Sequence, residues 1–236
     1  MFPTRHIKTV GAAASLGAIV LAGMLIIPTR GLADDDDDKN HENGNESKIK
    51  IGFAIAPVPL KLAGKNKDLV GLGSYIVNAQ ADCNGCHSSD PATEFAPGGN
   101  PYFNQHPTKI NPATYLSGGQ DFGAFPGPGP FPHIISRNLT PDKTGMPEGG
   151  HTFQEFRTIM RTGKDYDHLH PTCNWGPNGS CIPAPFDGDL LQIMPWPIYK
   201  NMTDHDIRAI YEYLSAIPCL EGPEDPKSPL HNDCGK

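Results

Sequence analysis

Apolar residues recur at helical spacing in three places along the chain. In "DLVGLGSYIVNAQADC" (68–83), Leu69, Leu72, Ile76 and Ala79 share one face. Gly73 lies on that face too, where a missing side chain lets another helix approach closely. In "HTFQEFRTIMRTG" (151–163), Thr152 and Glu155 form a capping box, and Gly163 is a stop. Phe153, Phe156, Ile159 and Met160 make the apolar stripe between them. In "MTDHDIRAIYEYLSAIP" (202–218), Thr203 and Asp206 cap a helix whose stripe is Ile207, Ile210, Tyr211, Leu214 and Ile217, and Pro218 ends it. No stretch alternates well enough to predict a strand, so the pattern predicts an all-α protein.

Between the first two helices the pattern vanishes. From Pro97 to Pro132, 15 of 36 residues are Gly or Pro, which excludes helix or sheet interior and predicts a long loop. At the other extreme, an apolar run extends from Val10 to Ile27 behind Arg5 and Lys8, with Gly31 and Ala33 where a signal peptidase reads. Residues 1–33 are therefore an expected secretory signal, with an uncleaved membrane anchor as the alternative. Residues 34–50, "DDDDDKNHENGNESKIK", have almost nothing apolar and read as an acidic disordered linker. The expected folded domain is 51–236.

Charge narrows the partners. Removing residues 1–33 takes away Arg5, Lys8 and Arg30 and leaves 203 residues with 16 basic against 26 acidic side chains, a formal charge of −10. That argues against nucleic acid and against an anionic lipid surface, leaving a membrane contact only through the N-terminal segment. Export to the periplasm or another extracytoplasmic space also permits disulfides.

The candidate chemistry lies in "NAQADCNGCHSSD" (78–90). A structural zinc site would need a second closely spaced ligand pair, and Cys173, Cys181, Cys219 and Cys234 supply none. A thioredoxin-like dithiol would need a βαβ setting. The third reading is covalent haem, in which Cys83 and Cys86 bond the two vinyl groups and His87 is the proximal iron ligand. It stands against a non-haem module whose cysteine pair is structural or redox-active, and the surrounding sequence decides between them. A methionine sulfur opposite histidine would complete an electron carrier. Met160 belongs to a helical stripe, and Met202 abuts the last helix. The choice falls between Met146, among glycines and charges, and Met194, in the apolar loop "LLQIMPWPIY" with Trp196 and Tyr199 available to line a haem pocket. Met194 is the expected distal ligand and Met146 the alternative.

The segments "VGLGSYIVNAQADCNGCH", "ISRNLTPDKTG", "FQEFRTIMRTGKD" and "IMPWPIYKNMTDHDIRAIYEYLSAIP" together resemble the successive signatures of class I bacterial c-type cytochromes. They are most similar to the cytochrome subunits of periplasmic dehydrogenases. The resemblance implies a class I cytochrome c fold whose first and last helices cross beside one haem c. It implies ligation by His87 and Met194, and a loop near the haem propionates in which Arg137, Asn138 and Thr140 are candidate donors. It also implies redox protein partners, such as a periplasmic dehydrogenase or a terminal oxidase, and a role as electron carrier rather than enzyme. The chain departs from the family pattern at "MPEGGHTF", and in an insertion at 168–189 that holds Cys173 and Cys181. Local pairing gives Cys173–Cys181 and Cys219–Cys234 as expected disulfides. Closing the 15-residue loop between the latter two would contribute about 3 kcal/mol. Free thiols, or a second metal site using His168 and His170, are the alternatives. A haem enzyme with an open sixth iron position, a peroxidase or a sulfur-compound oxidoreductase, remains the competing function; no histidine and arginine pair beside the haem motif stands out in the sequence.

Overall fold

The computed structural model describes residues 36–125, 127, 131–166 and 185–235. Helix α1 (Asp36–Ile55) leads into α2 (Lys67–Tyr75), which continues as one π-helical stretch, Ile76–Gln80, into the short α3 (Cys83–Cys86). A two-stranded antiparallel ribbon follows, β1 (Asp121–Ala124) with β2 (His133–Ile135). Then come the turn α4 (Pro147–Gly150), α5 (Phe153–Thr162), the short α6 (Trp196–Tyr199) and α7 (Asp204–Leu214).

The three helices expected from periodicity are α2, α5 and α7, and their ends follow local chemistry. Asn66, two residues ahead of the expected start, caps α2 by accepting from the N–H groups of Asp68 and Leu69. Thr152 and Glu155 make both halves of the capping box, and Gly163 closes α5 in the left-handed conformation. Thr203 accepts from the Asp206 N–H at 3.0 Å.

The core forms where α2 crosses α7. A Cβ on Gly73 would lie 1.9 Å from the main-chain oxygen of Ala209, so the two backbones touch. Val70, Leu72, Ile76 and Val77 pack there against Ile207, Ile210, Leu214 and Ile217, all buried. Tyr115 and Tyr213 are buried beside them with hydroxyls 2.8 Å apart, and Asn78 bonds both. This closed network satisfies the two phenol hydroxyls that the core takes in.

Two elements differ from expectation. The segment read as a linker, 34–50, is helical from Asp36 onward. The helix is held at its apolar C-terminal end, where a Cβ on Gly52 would fall 1.9 Å from the Gly71 oxygen and Ser74 Oγ donates to the Gly52 carbonyl at 2.7 Å. Tertiary packing overrides the polar composition before it. The ribbon β1–β2 is the other difference: β1 lies inside the Gly- and Pro-rich segment and β2 just beyond its end, both too short for alternation to announce them. The proposed signal or anchor at 1–33, His168, His170 and the pair Cys173–Cys181 lie outside the described residues. Among the described residues no helix is long and apolar enough to cross a membrane. The disulfide Cys219–Cys234 is formed.

Helices α5 and α7 are also joined at the surface. Asp204 accepts from Arg157 at 2.8 and 3.0 Å and from Arg161 at 2.6 Å. Those hydrogen bonds hold its carboxyl down at about 2, against about 4 for a free aspartate. A depressed carboxyl stabilises the fold above its unfolded pKa and stops doing so as pH falls through its folded pKa. Asp204→Asn should therefore melt below wild type at pH 6, with the difference shrinking from about pH 4 and gone near pH 2; thermal denaturation across that range checks it.

Candidate functional site

The π-helical stretch ends where the Ala81 N–H reaches back to the Ile76 carbonyl at 2.8 Å and Asp82 turns left-handed. That reversal starts α3, and the His87 N–H bonds the Cys83 carbonyl at 2.8 Å. Cys83, Cys86 and His87 thereby line one cavity of about 230 Å³, walled by Leu139, Phe156, Ile159, Ile210 and Leu214.

His87 Nδ1 lies 2.8 Å from the Arg137 carbonyl oxygen. A carbonyl only accepts, so Nδ1 carries the proton and Nε2 keeps its lone pair. Burial pushes the imidazole pKa down; the hydrogen bond to the Arg137 carbonyl opposes this, and the Arg137 charge adds to it. The neutral ring is the ligand form. Gly118 fixes the arrangement from the other side. Its N–H donates to the His87 carbonyl at 2.8 Å, and a Cβ there, at φ +71°, would lie 2.3 Å from the Arg137 carbonyl carbon.

Neither thiol is activated. Burial, with the charges of Asp82 and Cys86 adding to it, pushes Cys83 up to about 12, and burial raises Cys86 as well. The two are not bonded to each other. Redox-active dithiols need the opposite, a depressed pKa. Among the described residues no group of three or more His, Cys, Asp or Glu side chains gathers as a metal site.

Met194 also lines the cavity, half-buried, as do Met160 and Met202; Met146 does not. The Met194 loop is pinned to the end of α5. The Leu191 N–H donates to the Gly163 carbonyl at 2.7 Å, and Trp196 Nε1 donates to the Leu191 carbonyl at 3.0 Å. Trp196 is therefore not a cavity residue: its ring lies over Gly163, where a Cβ would come within 2.3 Å of it. Tyr199 does line the cavity, its hydroxyl donating to the Ala81 carbonyl at 3.1 Å. Burial, then the neighbouring thiols and Asp82, push that phenol up to about 12.

The three candidate propionate donors separate. Arg137 lines the cavity, but its buried guanidinium bonds Asp165 and lies 3.5 Å from Glu148. Asn138 and Thr140 face the C-terminal tail instead. Asn138 Nδ2 donates to the Leu220 carbonyl at 3.0 Å, and Thr140 Oγ1 accepts from the Leu220 N–H at 3.1 Å. Sequence reading missed Asp165, the last residue of the segment "FQEFRTIMRTGKD", and Glu148, in the turn α4, because nothing in either local pattern marks a partner for Arg137. It also missed His133, a cavity residue whose Nδ1 lies 2.8 Å from Asp121. The structure thus brings a histidine, His133, and an arginine, Arg137, to one cavity.

The gluconate 2-dehydrogenase cytochrome c subunit of Pantoea cypripedii is 29% identical over 153 residues, 63% of this chain and 23% of that subunit. The fructose dehydrogenase cytochrome subunit of Gluconobacter japonicus is 24% identical over 170 residues, 71% of this chain and 25% of that subunit. The chain thus spans about a quarter of the length of the curated relatives it matches. No family model and no solved structure matches it. In sequence the chain resembles the cytochrome c subunits of dehydrogenases.

Proposed function

We propose that this chain is an exported c-type cytochrome of the class I fold that passes single electrons outside the cytoplasm, as the haem subunit of a dehydrogenase or as a carrier serving one. Cys83 and Cys86 hold one haem c covalently, His87 Nε2 is its proximal ligand and Met194 Sδ its distal ligand. The observation that carries this reading is the convergence of two unactivated thiols, an imidazole with its Nδ1 proton already engaged, and a thioether on one apolar-walled cavity. That donor set fits a covalently held haem. The haem supplies the one-electron couple of its iron.

The residues do the rest. The Arg137 carbonyl and Gly118 keep His87 in one tautomer and one orientation. The apolar walls exclude water, and the pinned loop holds Met194, so little rearranges when charge changes. Tyr199 ties α6 to the turn before Cys83.

A haem enzyme is the second reading, favoured by His133 and Arg137 on the cavity. The Arg137 side chain, however, is engaged by Asp165 and Glu148 and is not poised for a substrate. Absorption spectra of the haem-loaded protein separate the two. The carrier reading expects a low-spin spectrum with the red sulfur-to-ferric-iron band, and Met194→Ala should abolish that band. A high-spin spectrum without it in the wild type would favour the enzyme and direct peroxide and sulfur substrates to the site.

A further inference from the structure

The peptide group between Arg137 and Asn138 carries two hydrogen bonds that point in opposite directions. Its carbonyl accepts from His87 Nδ1–H at 2.8 Å. Its N–H, the main-chain nitrogen of Asn138, donates to the Pro229 carbonyl at 3.0 Å. A peptide whose N–H is engaged is polarised and accepts more strongly at its oxygen, an effect of about 10–30% per bond in a chain. A stronger acceptor draws the Nδ1 proton and makes the imidazole a more basic donor through Nε2.

Pro229 belongs to the tail closed by Cys219–Cys234, and Leu220, the acceptor of the Asn138 side chain, lies in the same loop. Asn232 Nδ2 closes this assembly, 2.9 Å from Thr140 Oγ1 and 3.1 Å from the Leu220 carbonyl, with Asn232 itself buried. Two main-chain carbonyls of one disulfide-closed loop therefore hold the residue that follows the acceptor of His87.

We propose that this loop is an outer support of the iron ligand: Asn138 is a positioning residue, and the line His87–Arg137 carbonyl–Asn138 N–H–Pro229 transmits the closure of Cys219–Cys234 to the electron-donating strength of the imidazole. The proposal rests on the reading of His87 as the proximal ligand. Reduction of the disulfide by an added dithiol leaves two thiols on the chain, and the reagent is itself oxidised to a disulfide. That reduction loosens the Pro229 acceptor, weakens the bond at Nδ1 and leaves ferric iron less stabilised, so the midpoint potential rises. A loop that merely shielded the cavity would act with the opposite sign, because water admitted beside the iron favours the more charged ferric state.

The test uses the haem-loaded full chain, wild type against the double variant Cys219→Ser with Cys234→Ser. The expected result is a low-spin spectrum in both, an upward shift of the midpoint potential in the variant, and at least tenfold faster hydrogen exchange at the Asn138 amide. An unchanged or lowered potential, with the low-spin spectrum kept, overturns the relay and leaves the ligand reading standing. Loss of the low-spin spectrum in the wild type overturns the ligand reading, and the relay with it. Should the variant not fold, exchange in the reduced wild type decides: the Asn138 amide and the His87 Nδ1 proton opening with one common protection factor supports the relay, and independent protection overturns it.

Discussion

Gly73→Val should destabilise the protein strongly by forcing two helices apart. The added Cβ would sit 1.9 Å from the Ala209 oxygen and 2.7 Å from Tyr213 Cβ. The first of these is helix backbone, which cannot step aside as a flexible side chain does. Helices α2 and α7 must then separate, and the buried stripe from Val70 to Val77 loses contact with Ile207 to Ile217. Overpacking of this kind costs about 3 kcal/mol or more, equivalent to a melting temperature lower by roughly 6–12 °C for a domain of this size. Gly44→Ala is the control. Nothing lies within 4 Å of a Cβ there, and the position is helical, so the melting temperature should hold or rise slightly. Thermal denaturation followed by far-UV circular dichroism measures both. Equal losses in the two variants would mean that the crossing is not closely packed.

That crossing was legible because its cause is local. A glycine on an otherwise apolar helical face leaves a gap that a second backbone can fill, and the capping box at Thr152 and Glu155 is a signal four residues long. The convergence of Cys83, Cys86 and His87 on one cavity with Met194 was also readable, since the first three are adjacent and Met194 stands out by the apolar loop around it. What escaped was settled by contacts distant in sequence. The C-terminal end of α1 is ordered by two facing glycines, Gly52 and Gly71, with Ser74 donating across the same contact. Asn138 and Thr140 look like donors for an anionic group until the tail arrives some 80 residues later and takes their hydrogen bonds. Trp196 looks like a pocket wall because aromatic residues often are, yet its indole N–H needs an acceptor and finds the Leu191 carbonyl, which swings the ring over Gly163. For Asn138 and Thr140 the family resemblance suggested a role, for Trp196 its apolar loop did, and in both the demand for a hydrogen-bond partner decided otherwise.

The same cysteines that begin the site carry the largest functional prediction. Cys83→Ser with Cys86→Ser should remove every covalent link between chain and haem. After export in a host that attaches haem, the wild type should keep haem through denaturing electrophoresis and acid–acetone extraction, and the double variant should lose it all. Each single variant should retain one thioether, with the reduced absorption band moved toward the red because one vinyl group stays conjugated. On the proposed function, the thiols of the apo chain predict that attachment needs help from the host. Burial holds Cys83 at about 12 and raises Cys86, so neither presents a thiolate at neutral pH. On that same reading, attachment is expected before the fold closes over Cys83; Cys86 stays exposed in the folded chain. The consequence is measurable: the refolded apo chain mixed with free haem in vitro should form at most a complex that extraction dissociates. Covalent haem formed rapidly by the folded apo chain alone would show that the thiols are far more acidic than their surroundings dictate, and would reopen a redox role for the pair.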